Sequence, residues 1–181
     1  MKWLLIVAAS VSLACGCSHV STQGAPGEFL LRLSPAALGT QFVLQQQITV
    51  DAGGQTRQIE ALLEADASTV RLAMLDMGIV RARLSWDGTT LRHEFPPQLP
   101  RQLDPGRILT QIQLAYWPQE AIRAALPQGW TLEATQSQRV LSRNGVAEIR
   151  IEYLQGFSHE WVNVRDGYRI RVLSMSQNPE P

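Results

Sequence analysis

The chain has 181 residues, with 16 basic against 16 acidic side chains and 45% hydrophobic residues. Zero net charge argues against a nucleic-acid binder, which would show a basic excess, and the length suits one ordinary domain with a single core. Past the first twenty residues, no apolar run approaches the roughly 20 residues that a membrane-spanning helix needs.

In chain order, Lys2 gives a short positive start, Trp3 to Leu13 is an almost unbroken apolar run, and small residues follow. That is the grammar of a secretory signal peptide, too short to stay in a bilayer as a permanent helix. The segment Ala14-Cys15-Gly16-Cys17 resembles the box at which bacterial lipoprotein signals end, in front of a cysteine that becomes the lipidated first residue. Such boxes usually carry Leu three places before the cysteine, where this chain has Ala14, with Leu13 one step further out. Taking Cys15 as the acceptor gives Ser12-Leu13-Ala14, a poorer box. The resemblance implies a signal over residues 1–16 and lipid on Cys17, with Cys15 as the alternative. Cys15 then leaves with the signal, and the mature chain has no disulfide, CxxC pair or cysteine zinc site. Ser18 stands where an Asp would favour the inner membrane, which implies the outer membrane. The several acyl chains of such lipoproteins suffice for stable anchoring. Lys2 is the only lysine, so 15 Arg remain against 16 acids and the mature net charge is −1. The remainder of residues 17–27, small and polar from Ser18 to Gly27, reads as a flexible tether.

From about Gln41 to Phe95 the pattern alternates with period two, as in strands with one apolar face. Leu44, Gln46, Ile48 and Val50 share a face, and Asp51-Ala52-Gly53-Gly54 supplies a turn. Ile59, Ala61, Leu63 and Ala65 follow, then Val70, Leu72 and Met74, then Val80, Ala82, Leu84 and Trp86. Asp87-Gly88 reads as a tight hairpin turn before Leu91, His93 and Phe95. Pro96, Pro97 and Pro100 then forbid a central strand. Asp104-Pro105 reads as a helix cap followed by proline at the first helical position. Ile108, Leu109, Ile112, Ala115 and Tyr116 recur at helical spacing, and Pro118 starts a second short helix ended by Pro127 and Gly129. Strands resume over Trp130–Ala134, Arg139–Ser142, Val146–Tyr153, Trp161–Val164 and Tyr168–Ser174. Turns fall at Asn144-Gly145 and Asp166-Gly167.

This order predicts a mainly β (α+β) domain over residues 28–175, with a frayed tail over 176–181. The expected architecture is a curved antiparallel sheet forming an incomplete barrel, its concave apolar face covered by short helices. Where sheet and helices leave space, a cavity for an apolar ligand results.

The stretch Leu44 to Tyr153 resembles LolB, the outer-membrane receptor that takes lipoproteins from the periplasmic carrier LolA. V-R-L-A-M-L-D-M-G-I-V-R-A-R-L-S-W-D-G (Val70 to Gly88) looks like LolB's strand, loop, strand and Gly turn. Y-W-P-Q-E-A-I-R-A-A-L-P-Q-G-W-T-L-E (Tyr116 to Glu133) looks like its helix leading into a Gly-Trp strand. The prolines after Phe95 and the Tyr-Trp-Pro ending at Pro118 are similar to a branch of small LolB-like lipoproteins of unsettled role, often encoded with aryl-polyene biosynthesis enzymes. The resemblance implies a LolA/LolB-like half-barrel and, at Met77, an apolar loop tip that touches membrane or cargo. Asp76 stands where proline is usual, and Met77 replaces leucine.

Candidate cavity-lining residues are Leu63, Leu72, Met74, Leu84 and Trp86, on the apolar face. Arg81 and Arg83 lie on the opposite face, and Trp117 and Trp130 read as closing helices onto the sheet. No H-E-x-x-H, G-x-S-x-G or Gly-rich phosphate loop occurs. His93, Glu94 and Asp104 are the residues from which a relay could be assembled in space. No catalytic residue, metal site or cofactor is expected. The expected function is binding or acceptance of an acylated molecule, lipoprotein acyl chains or another envelope lipid, for transport or insertion. An enzyme acting on a lipid-linked substrate and a structural envelope partner are the alternatives. The partners expected are acyl lipid or lipoprotein cargo, the outer membrane through the N-terminal lipid, and a periplasmic LolA-like carrier.

Overall fold

The computed structural model describes residues 30–96 and 104–177. The expected signal, Cys15, Cys17, the tether, Pro97, Pro100 and residues 178–181 lie outside them.

Ten strands form one antiparallel sheet. β1 (Phe42–Ala52), β2 (Gln55–Ala65), β3 (Val70–Asp76), β4 (Ile79–Trp86) and β5 (Leu91–Glu94) make the first half. β6 (Trp130–Ala134), β7 (Gln138–Arg143), β8 (Val146–Tyr153), β9 (His159–Asn163) and β10 (Tyr168–Ser176) make the second. The spatial order is β5-β4-β3-β2-β1-β10-β9-β8-β7-β6, so two meanders join where β1 pairs with β10. The sheet does not close: β5 and β6 are its edges, and the chain between them carries α1 (Pro105–Tyr116) and α2 (Gln119–Ala125). This is an open barrel-like sheet with two short helices, as the alternation and the proline break together suggest.

Local chemistry sets most boundaries. Asp104 caps α1, its side chain accepting from the backbone N–H of Gly106 and Arg107, an arrangement that stabilises a helix by about 1 kcal/mol. Asn144 (φ 50°) and Gly145 (φ 80°) make the two-residue turn between β7 and β8, the residue pair that left-handed hairpin turns favour. Alternation along β3 buries Val70, Leu72 and Met74 and leaves Arg71 and Asp76 exposed.

Four details differ from the sequence reading. β4 and β5 are joined by four residues, not two, because the Asp87 carboxylate accepts from the backbone N–H of Thr89 and Thr90 and builds a wider turn. A register shift after Met74 pairs Val80 with Leu75, while Ala82 pairs with Met74, so Val80 leaves the buried row of Ala82, Leu84 and Trp86. β9 starts at His159 rather than Trp161. β10 runs to Ser176, and the Gln177 N–H donates to the Val43 carbonyl at 2.9 Å, so the first two residues of the expected tail are held to the sheet.

The N-terminal segment Leu30–Leu38, which ends in a 3₁₀ turn over Pro35–Leu38, is tied to the helices and to β4. Fully buried Gln113 accepts from the Leu33 N–H at 3.1 Å and donates to its carbonyl at 3.0 Å, as a strand neighbour would. The Trp86 indole donates to the same carbonyl at 2.8 Å, the Trp117 indole to the Ser34 carbonyl, and the Leu31 N–H to the Thr110 hydroxyl. A Cβ on Gly106 would stand 2.9 Å from a Leu30 methyl, so glycine permits this close approach.

Candidate functional site

Between α1 and the middle of the sheet lies a cavity of about 80 Å³. Its walls come from β1 (Gln46, Ile48, Val50), β2 (Ile59), β3 (Leu72, Met74), β9 (His159, Trp161) and β10 (Ile170, Val172). Its roof is the Ile108, Gln111, Ile112 and Tyr116 face of α1. Strand alternation and helical spacing thus deliver apolar side chains to one space from both sides. Along β1 the inward row goes from buried Leu44 and Gln46 to half-buried Ile48 and Val50. The cavity is therefore more open toward the β1–β2 turn, the end at which the β3–β4 hairpin tip also lies.

Polar groups gather at the deeper end. The Gln46 amide donates to the Tyr116 hydroxyl at 2.9 Å and to the Ser174 hydroxyl at 3.0 Å. The Tyr116 hydroxyl donates to the Phe157 carbonyl at 3.3 Å, and burial pushes its pKa up to about 12 against the lowering effect of the Ser174 and Gln46 bonds. Tyr116 packs at tilted angles on Phe42 and edge-on to His159. Burial pushes the His159 imidazole down to about 4, and a hydrogen bond to the Phe157 backbone offsets only part of that. His159 Nδ1 and Trp161 Nε1 are both buried without a hydrogen-bond partner.

The expected cavity residues divide. Leu72 and Met74 line the cavity. Leu63, Leu84 and Trp86 belong to the packed core, with exposures of 0%, 2% and 1%. The Leu30–Leu38 segment fills the end of the barrel that Trp86 faces, which removes that end from the cavity. Met77 is 92% exposed at the tip of the β3–β4 hairpin, with φ 50°. Ile79 beside it is 57% exposed. Asp76 is bridged to Arg81 at 3.4 Å, so the acid beside the tip has a counter-charge. Arg83 meets Glu94 on the solvent side at 3.6 Å.

His93, Glu94 and Asp104 have separate engagements: His93 lies exposed edge-on to Phe95, Glu94 pairs with Arg83, and Asp104 caps α1. Among the described residues no group of His, Cys, Asp and Glu is placed to hold a metal ion, and no helix is long and apolar enough to cross a membrane. Sequence reasoning missed Gln46, Tyr116, His159 and Trp161 as site residues. The signal was present in H-E-W-V-N, where alternate residues share a face once the strand is begun at His159.

Residues 43–176, most of the chain and all strands but the first residue of β1, match the family model described as "Protein of unknown function (DUF3261)". The chain belongs to the DUF3261 family. No curated protein matches it. The DUF3261 match takes in every residue that lines the cavity, together with the Met77 hairpin, and leaves out the Leu30–Leu38 segment stapled to α1.

Proposed function

We propose that this protein is a lipoprotein anchored in the outer membrane through Cys17, which accepts or carries an acylated or otherwise apolar molecule in the space beneath α1. The observation that carries the reading is the cavity's wall. Apolar side chains of five strands and one helix face it, and it is more open toward the end at which the exposed Met77 tip lies. The finer likeness to LolB, and to the branch associated with aryl polyenes, belongs to the same proposal. So does a periplasmic LolA-like carrier as the donor. No covalent chemistry is required: each buried CH₂ contributes about 0.8 kcal/mol, so a station that buries a few more carbons than its donor draws the chain onward.

The cavity's small volume favours a second reading, in which the sheet face is filled by its own side chains and the domain is a structural partner in an envelope complex. Mass spectrometry of lipids extracted from protein purified from its native host separates the two. A stoichiometric apolar molecule supports the first reading. A lipid-free protein held in a stable complex supports the second.

A further inference from the structure

The β9 side of the cavity carries two polar atoms that the fold leaves unserved: one on His159, level with Val172 and Ile48, and one on Trp161, a residue pair nearer the open end and level with Ile170 and Val50. His159 and Trp161 are two residues apart on β9, so their side chains stand on one face about 7 Å apart at the backbone, and both line the cavity. They are 5% and 3% exposed, and His159 Nδ1 and Trp161 Nε1 have no hydrogen-bond partner. Buried polar atoms without partners are uncommon and costly. The neighbouring polar groups are already engaged: Gln46 donates to Tyr116 and Ser174, Tyr116 to Phe157, and Gln111 to the Tyr168 hydroxyl.

The two atoms differ in kind. An indole N–H only donates. The His159 ring is 5% exposed and burial keeps it neutral, and a neutral imidazole has one donor and one acceptor nitrogen. Nδ1 is the ring atom without a partner, and in the tautomer that carries its proton on Nε2 it is a bare acceptor. The cavity thus presents one donor and one acceptor side by side. No lysine, arginine, aspartate or glutamate is among its lining residues. A charged head group would be buried there without a counter-charge, which is strongly unfavourable.

Resting on the reading of this space as a ligand site, we infer that its occupant carries a neutral group that both donates and accepts a hydrogen bond. A hydroxyl on an apolar chain is the simplest such group. It donates to His159 Nδ1 and accepts from Trp161 Nε1–H, while the chain lies against the apolar wall that Ile48, Val50 and Ile170 form beside them.

The test uses the full-length chain with Cys17→Ser, so that no lipid anchor competes, titrated with 1-decanol, decyl methyl ether and decanoate. Binding is read from the ¹⁵N-indole resonance assigned by Trp161→Phe. The inference expects decanol to bind about tenfold more tightly than the ether, which accepts but does not donate, and more tightly than decanoate. Decanol should shift the Trp161 indole proton downfield. His159→Leu should abolish the preference for decanol over the ether, read as the ratio of the two affinities within the same variant, and melting curves of both variants establish that they are folded. Equal binding of alcohol and ether, or a preference that survives His159→Leu, overturns the inference while leaving the cavity reading intact. No binding of any of the three sinks the cavity reading and the inference with it.

Discussion

At the β3–β4 tip, stability and surface chemistry pull in opposite directions. Met77 has φ 50° and is followed by Gly78 at φ 75°, the backbone of a two-residue left-handed hairpin turn. Asn and Gly favour the first position of that turn, whereas an ordinary L-residue is strained there by roughly 1–2 kcal/mol. Met77 gains nothing from packing to offset this, being 92% exposed. Met77→Asn should therefore stabilise the domain by about 1 kcal/mol, allowing for the residual cost that Asn itself bears in this region. In a domain of this size that raises the melting temperature by about 2–4 °C. The same change removes the apolar tip. A Met side chain that leaves water contributes about 1.5–3 kcal/mol, so a tip that enters a bilayer or grips cargo should lose at least tenfold in partitioning. Circular dichroism melting gives the first number. Flotation of the Cys17→Ser chain with phosphatidylethanolamine–phosphatidylglycerol vesicles gives the second. Met77→Leu serves as the control that keeps both properties. An Asn variant that melts higher but floats unchanged makes Met77 a strained bystander. One that melts no higher and floats unchanged refutes both halves of the reasoning.

Leu84→Asp should lower stability by several kcal/mol, because it buries an unpaired carboxylate at a position 2% exposed. Arg83→Asp, one residue away and losing only the solvent-side pair with Glu94, should stay within about 1 kcal/mol; equal melting of the two would refute the strand register. His159 is held near 4 in the folded chain against 6.5 when unfolded. Its contribution is complete above pH 6.5 and is lost as pH falls toward 4, where the unfolded chain binds the proton first, by roughly 3 kcal/mol in all. Urea titrations from pH 7 to 4 should show this slope in the wild type and a flatter one in His159→Leu, and parallel slopes would count against it. Cys17→Ala should abolish incorporation of a palmitate analogue while Cys15→Ala leaves it intact, and the reverse pattern would make Cys15 the acceptor.

Much of the fold was legible in the sequence because its two periods are clean. Leu72 and Leu84 alternate with charged or small neighbours, Ile108 and Ile112 recur at helical spacing, and Asp104-Pro105 marks the helix start by a mechanism visible in two letters. The site was less legible. Period two places Leu84 and Trp86 on the same face as Leu72 and Met74, but it carries no information on which end of that face is stopped up. Leu33 decides this, through bonds to Gln113 and Trp86 from 80 and 53 residues away. Gln46 and His159 read as ordinary polar residues until the pairing of β1 with β10, and of β10 with β9, brings them to the same cavity.

The cavity's volume then has to be weighed against its proposed occupant. About 80 Å³ accommodates a few waters, each needing roughly 10–15 Å³ on this kind of measure, and not a long acyl chain, so accepting one requires α1 to move. The bonds that hold α1 are unequal along its length. At its C-terminal end the carbonyls of Leu114 and Ala115 accept from the Arg139 guanidinium, and Ala115 also accepts from the Tyr153 hydroxyl at 2.7 Å. Gln113 and Thr110 add the buried ties to the N-terminal segment. Toward its N-terminal end the ties include a 3.5 Å ion pair from Arg107 to Asp166 and a 3.2 Å bond from Gln111 to Tyr168. A partly exposed ion pair contributes at most about 1 kcal/mol, whereas breaking a buried, charge-assisted bond such as that of Arg139 costs more. Widening the cavity is therefore resisted strongly at the C-terminal end of α1, away from the end at which Arg107 meets Asp166. Asp166 lies in the β9–β10 turn, next to the β1–β2 turn, so this is also the end at which Ile48 and Val50 are half-exposed and the Met77 hairpin projects. Entry of an apolar chain at that rim would meet Trp161 first, level with Ile170 and Val50, then His159, level with Val172 and Ile48, and would leave undisturbed the deep end, where Gln46, Tyr116 and Ser174 are bonded to one another.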